Sequence, residues 1–253
     1  MLDERKLRLL EQRIDGWRIR VKDDDQVKVY DEVFDQRTLM AVYKLINGGA
    51  ISTVDYPVST GKEGNVFHAT AAKRAIALKI YRVSNATFRS LSDYLLGDPR
   101  FKGLKGDRRK IICAWATKEY KNLERMHTAG TRVPRPVVVE ENVLAMDYVG
   151  DETMPAPMIK EVRFEDPQPL LDDVVDNMKC IEKAGLVHGD LSEYNILFWD
   201  GKTYVIDVGQ AVPTDHRNAN EWFERDAQNI ARYFSRIGIR ITAKEISKRV
   251  RGG

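Results

Sequence analysis

The chain has 253 residues, 43% of them hydrophobic and 31% charged, enough apolar material for a substantial core in one two-lobed domain or two small ones. Its 41 Lys and Arg against 38 Asp and Glu leave a net charge of +3, too small by itself to imply a nucleic-acid partner. No apolar run approaches the roughly 18 residues of a membrane span, no signal peptide is evident, and four His and two Cys without paired spacing exclude a zinc centre. Cys113 and Cys180 fall in helical patterns and read as buried free thiols of a reducing compartment, so a cytoplasmic location is expected.

Leu7, Leu10, Ile14 and Trp17 recur at helical spacing within residues 2–20. Asp35 then stands as an N-cap before a second predicted helix, Gln36 to Asn47, which Gly48 and Gly49 end. Both helices are expected to pack on the sheet that follows, with partner binding as the alternative. Ser59-Thr-Gly61-Lys62-Glu-Gly64-Asn-Val66 is a glycine-containing turn between two strands. Such a turn lets backbone N–H groups approach a phosphate closely, and an ordinary hairpin turn competes with that reading. The next strand, Arg74 to Tyr81, carries Lys79. A strand lysine is usually a solvated edge residue, and a phosphate contact is the functional alternative.

Residues 84–105 contain Gly97, Pro99 and Gly103 and no sustained period. Arg82 to Lys110 holds eight Lys or Arg against three Asp. A solvated, poorly ordered loop is the simpler reading, and an electrostatic footprint for RNA or an acidic partner is the functional one. From about Asp107 to Gly130, Ile112, Trp115, Leu123 and Met126 define the buried stripe of a helix. Glu119 lies within that stripe and Glu124 does not. A buried carboxylate is costly unless paired, so Glu119 either meets a cation, Lys79 being the natural one, or reaches solvent at the stripe's edge. Val143 to Gly150 reads as a strand running into a linker.

The densest chemistry follows. His188-Gly-Asp190-Leu-Ser-Glu-Tyr-Asn195 precedes two apolar or β-branched runs, Ile196 to Trp199 and Lys202 to Ile206, separated by Asp200-Gly201. Asp-Gly between such runs predicts a tight hairpin, because both turn residues need φ > 0. Folding about that turn sets Asn195 opposite Ile206, with Asp207 one step further on. Asn195 and Asp207 therefore share one end of a two-stranded ribbon, two oxygen donors suited to a hard cation whose other ligands are phosphate oxygens. Later, Asn220 to Ile237 reads as a helix ending at Gly238, and Thr242-Ala-Lys-Glu245 as a capping box opening a short one. Asp226 falls in the first of these, either as an ordinary helical residue or as a brace beneath the 188–195 loop.

These motifs resemble a protein kinase. His188 to Asn195 is similar to the catalytic loop H-R-D-x-x-x-x-N with Gly189 in place of Arg, and Ile206-Asp207-Val208-Gly209 to D-F-G with Val208 in place of Phe. Ser59 to Val66 resembles G-x-G-x-x-G-x-V with Ser59 for the first glycine. Only 46 residues follow Asp207, and no A-P-E appears among them. The whole set, with an insertion between Lys79 and Glu119, resembles the Rio family of atypical serine/threonine kinases, in its type-1 branch.

That resemblance implies an α/β (α+β) two-lobed kinase-like fold whose large lobe lacks the activation segment and the peptide-binding subdomain. Residues 1–48 would be an N-terminal helical extension, 49–146 the small lobe with its basic insertion 84–105, and 147–253 the large lobe. It implies ATP and Mg²⁺ (or Mn²⁺) as cofactors and the small ribosomal subunit precursor as a partner. Ser59, Gly61, Lys62, Gly64 and Val66 would cover the nucleotide, Lys79 would hold its phosphates, and Glu119 would orient Lys79. Met146 would guard the back of the adenine site, with the backbone of Asp147 and Val149 at the adenine edge. Asp190 would be the catalytic base, Asn195 and Asp207 the metal ligands, and Asp207 in addition a possible phosphoaspartate. His188 would pack and bond backbone. Two further readings stay open: a small-molecule phosphotransferase of the aminoglycoside-kinase type, and an assembly factor that binds ATP without catalysis.

Overall fold

A computed structural model describes residues 8, 9, 12, 34–61, 64–72, 74–83, 107–151 and 154–252. The predicted first helix (apart from Arg8, Leu9 and Gln12), the basic insertion 84–105 and Lys62 lie outside the described residues. The chain divides into two compact units, one of residues up to Lys118 with Pro136–Tyr148, the other of Glu119–Arg135 with Val149–Gly253.

The first unit holds helix α1 (Gln36–Asn47), strands β1 (Thr53–Thr60), β2 (Gly64–Ala71), β3 (Arg74–Tyr81), β4 (Pro136–Glu140) and β5 (Val143–Asp147), and the first half of α2 (Arg108–Thr128). The five strands form one antiparallel sheet in the order β1-β2-β3-β5-β4. Alternation along β3 sends Ile76, Leu78 and Ile80 to a core shared with Phe67, Ala69, Val54 and Phe34, against which Val42 and Leu45 of α1 pack. The other β3 face carries Ala77 and Lys79. α1 begins where expected: the Thr38 N–H donates to the Asp35 carboxylate at 2.8 Å, and Gly48 closes the far end. Pro57 sits in β1, an edge strand, beside an irregularity in the pairing, the kind of place where a sheet tolerates proline.

Asn142, in the β4–β5 turn, ties this unit together. It is fully buried, and its Nδ2 donates to the Tyr81 carbonyl at 2.8 Å and to the Thr38 hydroxyl at 3.0 Å. Arg109 of α2 adds a 2.7 Å ion pair to Asp35. The cysteine expectation needs correction. Both cysteines are free, but each is only half-buried. Burial and the neighbouring Glu141 carboxylate push the Cys113 thiol up to about 12, so it stays protonated.

The second unit holds the rest of α2, then α3 (Gln168–Lys183), β6 (Leu186–Val187), β7 (Ile196–Trp199), β8 (Lys202–Val205), β9 (Val212–Pro213), α4 (Ala219–Arg236) and α5 (Ala243–Arg251). The β7–β8 turn has φ of 48° at Asp200 and 70° at Gly201, the conformation that Asp-Gly announces. α4 buries Trp222, Phe223, Asp226, Ile230 and Phe234 at three- and four-residue spacing. α5 opens on the expected capping box, Thr242 with Glu245.

Asn142→Ala would leave the buried Tyr81 carbonyl and Thr38 hydroxyl each without this partner. A loss of about 1–3 kcal/mol in denaturant unfolding is expected; an unchanged midpoint would show that the turn carries no such load.

Candidate active site

In the second unit the ribbon has the predicted register. Ile196 pairs with Val205, and the Ile206 N–H donates to the Asn195 carbonyl at 3.0 Å, extending the pairing by one step. Asp207 follows with φ 60° and ψ 52°, a left-handed conformation that Asp tolerates better than most residues, and starts a short 3₁₀ turn, Val208–Gln210. The turn is held by Asn122 of α2, fully buried, whose Nδ2 donates to the carbonyls of Val208 at 2.9 Å and Ala211 at 3.1 Å. Sequence reasoning missed Asn122. The signal was available: it lies three residues after Glu119 and four before Met126, on the same buried stripe.

The loop from His188 to Asn195 is gripped by its backbone. Asp226, 2% exposed on α4, accepts the N–H groups of Gly189 and Leu191, both at 2.8 Å. Arg225 donates to the Gly189 carbonyl, and Asn229 Nδ2 to the Leu191 carbonyl at 3.2 Å. Asp226 thus takes the bracing position. Gly189 has φ 81°, and a Cβ there would meet the Gln210 carbonyl and the Trp222 ring at 3.5 Å. Glycine is the residue that adopts this conformation at least cost. His188 accepts the Asp190 N–H at Nδ1 (3.3 Å), so its Nε2 carries the proton and donates to the Ile206 carbonyl at 3.1 Å. The histidine thereby links loop to ribbon, a structural task that occupies both ring nitrogens.

The loop carries Asp190 on the same side as the ribbon end. Asn195 Nδ2 donates to the Asp190 carbonyl at 2.9 Å, which turns the Asn195 Oδ1 the other way. Burial raises the Asp190 carboxyl above its ordinary value. The negative charge of Asp207 adds to the rise, while Arg225 and Asn195 oppose it. A half-buried carboxylate made more basic by a second carboxylate is suited to accept a proton. Among the described residues no three His, Cys, Asp or Glu side chains are grouped to hold a metal by themselves. The donor set, one amide oxygen and one carboxylate, fits a hard cation that takes its remaining ligands from phosphates and water.

In the first unit, β3 lies between β2 and β5, so Lys79 is not an edge residue. It stands in cross-strand register with Val66 on one side and Leu144 on the other, with its Nζ 5.1 Å from the Tyr81 ring. Ser59 and Thr60 end β1, exposed, and the Gly61 N–H donates to the Gly64 carbonyl at 2.9 Å, closing the turn. Gly64 has a packing reason of its own: a Cβ there would stand 2.5 Å from the Ile80 carbonyl. Met146 is buried near the end of β5, and Asp147 pairs with Arg74 at 3.4 Å. Val149 and Glu119 belong to the second unit. The Val149 carbonyl accepts the Ala156 N–H at 2.9 Å, and Glu119 is 1% exposed on α2.

Burial lifts the Asp226 carboxyl to about 7 against its two N–H donors and Arg225, from an ordinary 3.8. A carboxyl whose folded value exceeds its unfolded one contributes stability that is fully present below the unfolded value and is lost as pH rises through the folded one. Asp226→Asn sets an amide NH₂ against one of the two backbone donors and should cost about 1–3 kcal/mol. The variant does not titrate there, so the wild-type advantage should narrow between pH about 4 and about 7. Chemical denaturation across that range checks both; an advantage that widens toward pH 7 contradicts the assignment.

Comparison with known proteins agrees with this geometry. The family model described as the RIO domain matches residues 65–246. The RIO-type serine/threonine-protein kinase Rio1 of Haloferax volcanii is 48% identical over 225 residues, 88% of this chain and 78% of that protein. The Methanocaldococcus jannaschii protein of the same name is 39% identical, over 90% of this chain and 79% of its own. The human serine/threonine-protein kinase RIO1 is 37% identical over 90% of this chain, which spans 41% of its length. The crystal structure of the Rio2 kinase from Chaetomium thermophilum superposes with a TM-score of 0.66 at 26% identity, over 84% of this chain and 67% of that one. The same kinase as an ADP/Mg²⁺–phosphoaspartate complex gives 0.64 at 25% identity, over 84% and 66%. With the matched domain spanning most of its length, the chain belongs to the RIO family of atypical kinases.

Proposed function

We propose that this chain is a Mg²⁺-dependent, RIO-type serine/threonine kinase that transfers or hydrolyses the γ-phosphoryl group of ATP. The observation that carries the reading is the convergence of Asp190, Asn195 and Asp207 at one ribbon end, on a loop held by backbone bonds from Asp226, Arg225 and Asn229. Phosphoryl transfer asks a protein mainly for positioning and charge neutralisation. Asp190 is the base that accepts the proton of the attacking hydroxyl or water. Asn195 Oδ1 and the Asp207 carboxylate would hold the metal, which when bound neutralises charge on the phosphates. Lys79 is assigned to the phosphates, with Glu119 as the carboxylate read in the sequence as its partner. Ser59, Gly61, Lys62, Gly64 and Val66 are assigned to covering the nucleotide, and Met146, Asp147 and Val149 to the adenine.

The Rio2 kinase of Chaetomium thermophilum forms an ADP/Mg²⁺–phosphoaspartate complex. By that precedent Asp207 is a candidate to accept the phosphoryl group itself. One carboxylate oxygen would bond to the γ-phosphorus as the bond to the β–γ bridging oxygen breaks and ADP leaves. A role in small-ribosomal-subunit maturation, in the cytoplasm, is part of the same proposal and rests on the family resemblance alone.

The division of labour between the two aspartates tests the reading. Asp207→Ala should weaken Mg-ATP binding as well as turnover, and should abolish any hydroxylamine-labile phosphoprotein. Asp190→Ala should keep Mg-ATP affinity within a few-fold and lower phosphoryl transfer by roughly 10² or more. Calorimetric titration of Mg-ATP with phosphate-release assays reads both, and equal loss of affinity in the two variants defeats the assignment.

A further inference from the structure

Tyr194 is 55% exposed, and with Met154 it is one of two large hydrophobic side chains left exposed among the described residues of the second unit. It sits on the catalytic loop itself, four residues after Asp190 and one before Asn195. The loop around it is fixed. The Asn195 N–H donates to the Ser192 carbonyl at 3.0 Å, Glu193 is buried and paired with Arg236, and Leu191 is held by Asp226 and Asn229. A well-braced loop that still leaves more than half of an aromatic side chain exposed has surface for a partner to cover.

The ring has a charged neighbour. Lys160 Nζ lies 4.4 Å from its centroid. Lys160 comes from a 3₁₀ turn, Ile159–Glu161, which is itself pinned: Met158 bridges to Leu197 of β7, and the Tyr233 hydroxyl donates to the Ile159 carbonyl at 2.7 Å. The adjacent Glu161 carboxylate turns back to accept the Met158 N–H at 3.0 Å, and Glu193 is engaged by Arg236. Lys160 makes no ion pair among the described residues. The patch is therefore an exposed aromatic ring with a lysine ammonium over its face and, among the described residues, no carboxylate paired with that ammonium.

We propose that Tyr194 and Lys160 form the docking contact for the acceptor, a polypeptide segment whose target hydroxyl is flanked by an acidic side chain. The inference rests on the kinase reading above. Tyr194 is the exposed residue of the 188–195 loop that carries Asp190, and so the surface that loop offers to a segment bringing a Ser or Thr hydroxyl to Asp190. Apolar atoms of the segment's backbone and flanking residue cover the ring, and a carboxylate or phosphate pairs with Lys160. Single-stranded RNA also stacks on an aromatic beside a cation. Proximity to the catalytic base favours the acceptor.

The test uses the full chain with Mg-ATP and three serine peptides that differ only in a flanking Glu, Ala or Lys. Wild type should prefer the Glu peptide over the Lys peptide by about tenfold in kcat/KM, an amount ordinary for one charge pair beside a reacting centre. Lys160→Glu should erase or invert that preference, and Lys160→Arg should restore it. Tyr194→Ala should raise KM for the Glu peptide several-fold, and Tyr194→Phe should not. Unchanged discrimination in Lys160→Glu, with transfer intact, overturns this inference and leaves the kinase reading standing. Absence of any transfer by wild type, to peptide or to itself, overturns both. Competition of a single-stranded oligonucleotide with the Glu peptide, lost in Tyr194→Ala, reassigns the patch to nucleic acid and also overturns the proposal.

Discussion

Two backbone N–H groups, those of Gly189 and Leu191, converge on one carboxylate buried under the 188–195 loop. A short irregular loop has few backbone bonds of its own, and unpaired amides in a buried setting are expensive. Asp226 removes that cost and in doing so sets where Asp190, between the two held residues, can point. The helical stripe of α4 explains why a carboxylate can sit there. Trp222, Phe223, Ile230 and Phe234 bury the helix face, and Asp226 is carried in with them. Arg225, one residue earlier, lies toward solvent but reaches the carbonyl of Gly189. One helical turn thus holds both a donor and an acceptor of the same loop residue.

The ribbon end is fixed in a different way. Its register follows from a turn that only a few residue pairs favour, Asp200-Gly201, and from the alternation of β7 and β8. Asp207 then leaves the ladder in a left-handed conformation, and the chain curls into a 3₁₀ turn whose carbonyls are met by Asn122. Loop and ribbon are joined by the single imidazole of His188, acceptor on one side and donor on the other. Positions that must agree to within fractions of an ångström for phosphoryl transfer are therefore tied by hydrogen bonds to main-chain atoms.

Much of this was legible in the sequence, and for identifiable reasons. The hairpin, its register and the sharing of one end by Asn195 and Asp207 all follow from period two and a turn dipeptide. The buried stripe of α2, with Glu119 inside and Glu124 outside it, follows from helical spacing. The Asp35 cap and the Thr242 capping box are local signals. What was not legible depends on contacts between distant segments. Asn122 lies on the buried stripe of α2, but its partners, the carbonyls of Val208 and Ala211, are tens of residues away and leave no mark on that stripe; Asn142, in a turn, has no local signal that sets it apart from a surface residue. Gly64 looked like a phosphate-approach glycine, but β3 passing at its back requires one as well. The cysteines were placed inside by helical spacing alone, which cannot say that each sits at the margin of its helix's buried face.

The grip on the 188–195 loop has an evolutionary corollary. Asp226, Arg225 and Asn229 bind N–H and carbonyl groups, atoms that every residue type except proline supplies. Apart from Gly189, whose conformation restricts it, these three side chains do not read the identity of the residues they hold; that is left to His188, Leu191 and Glu193, which are buried and bonded or packed through their own side chains. Side chains at Ser192 and Tyr194 are free to diversify while Asp190 keeps its place. A scaffold of this kind separates the part of the loop that must not move from the part that can be rewritten, so that new acceptors become reachable by substitution on the loop's outer face.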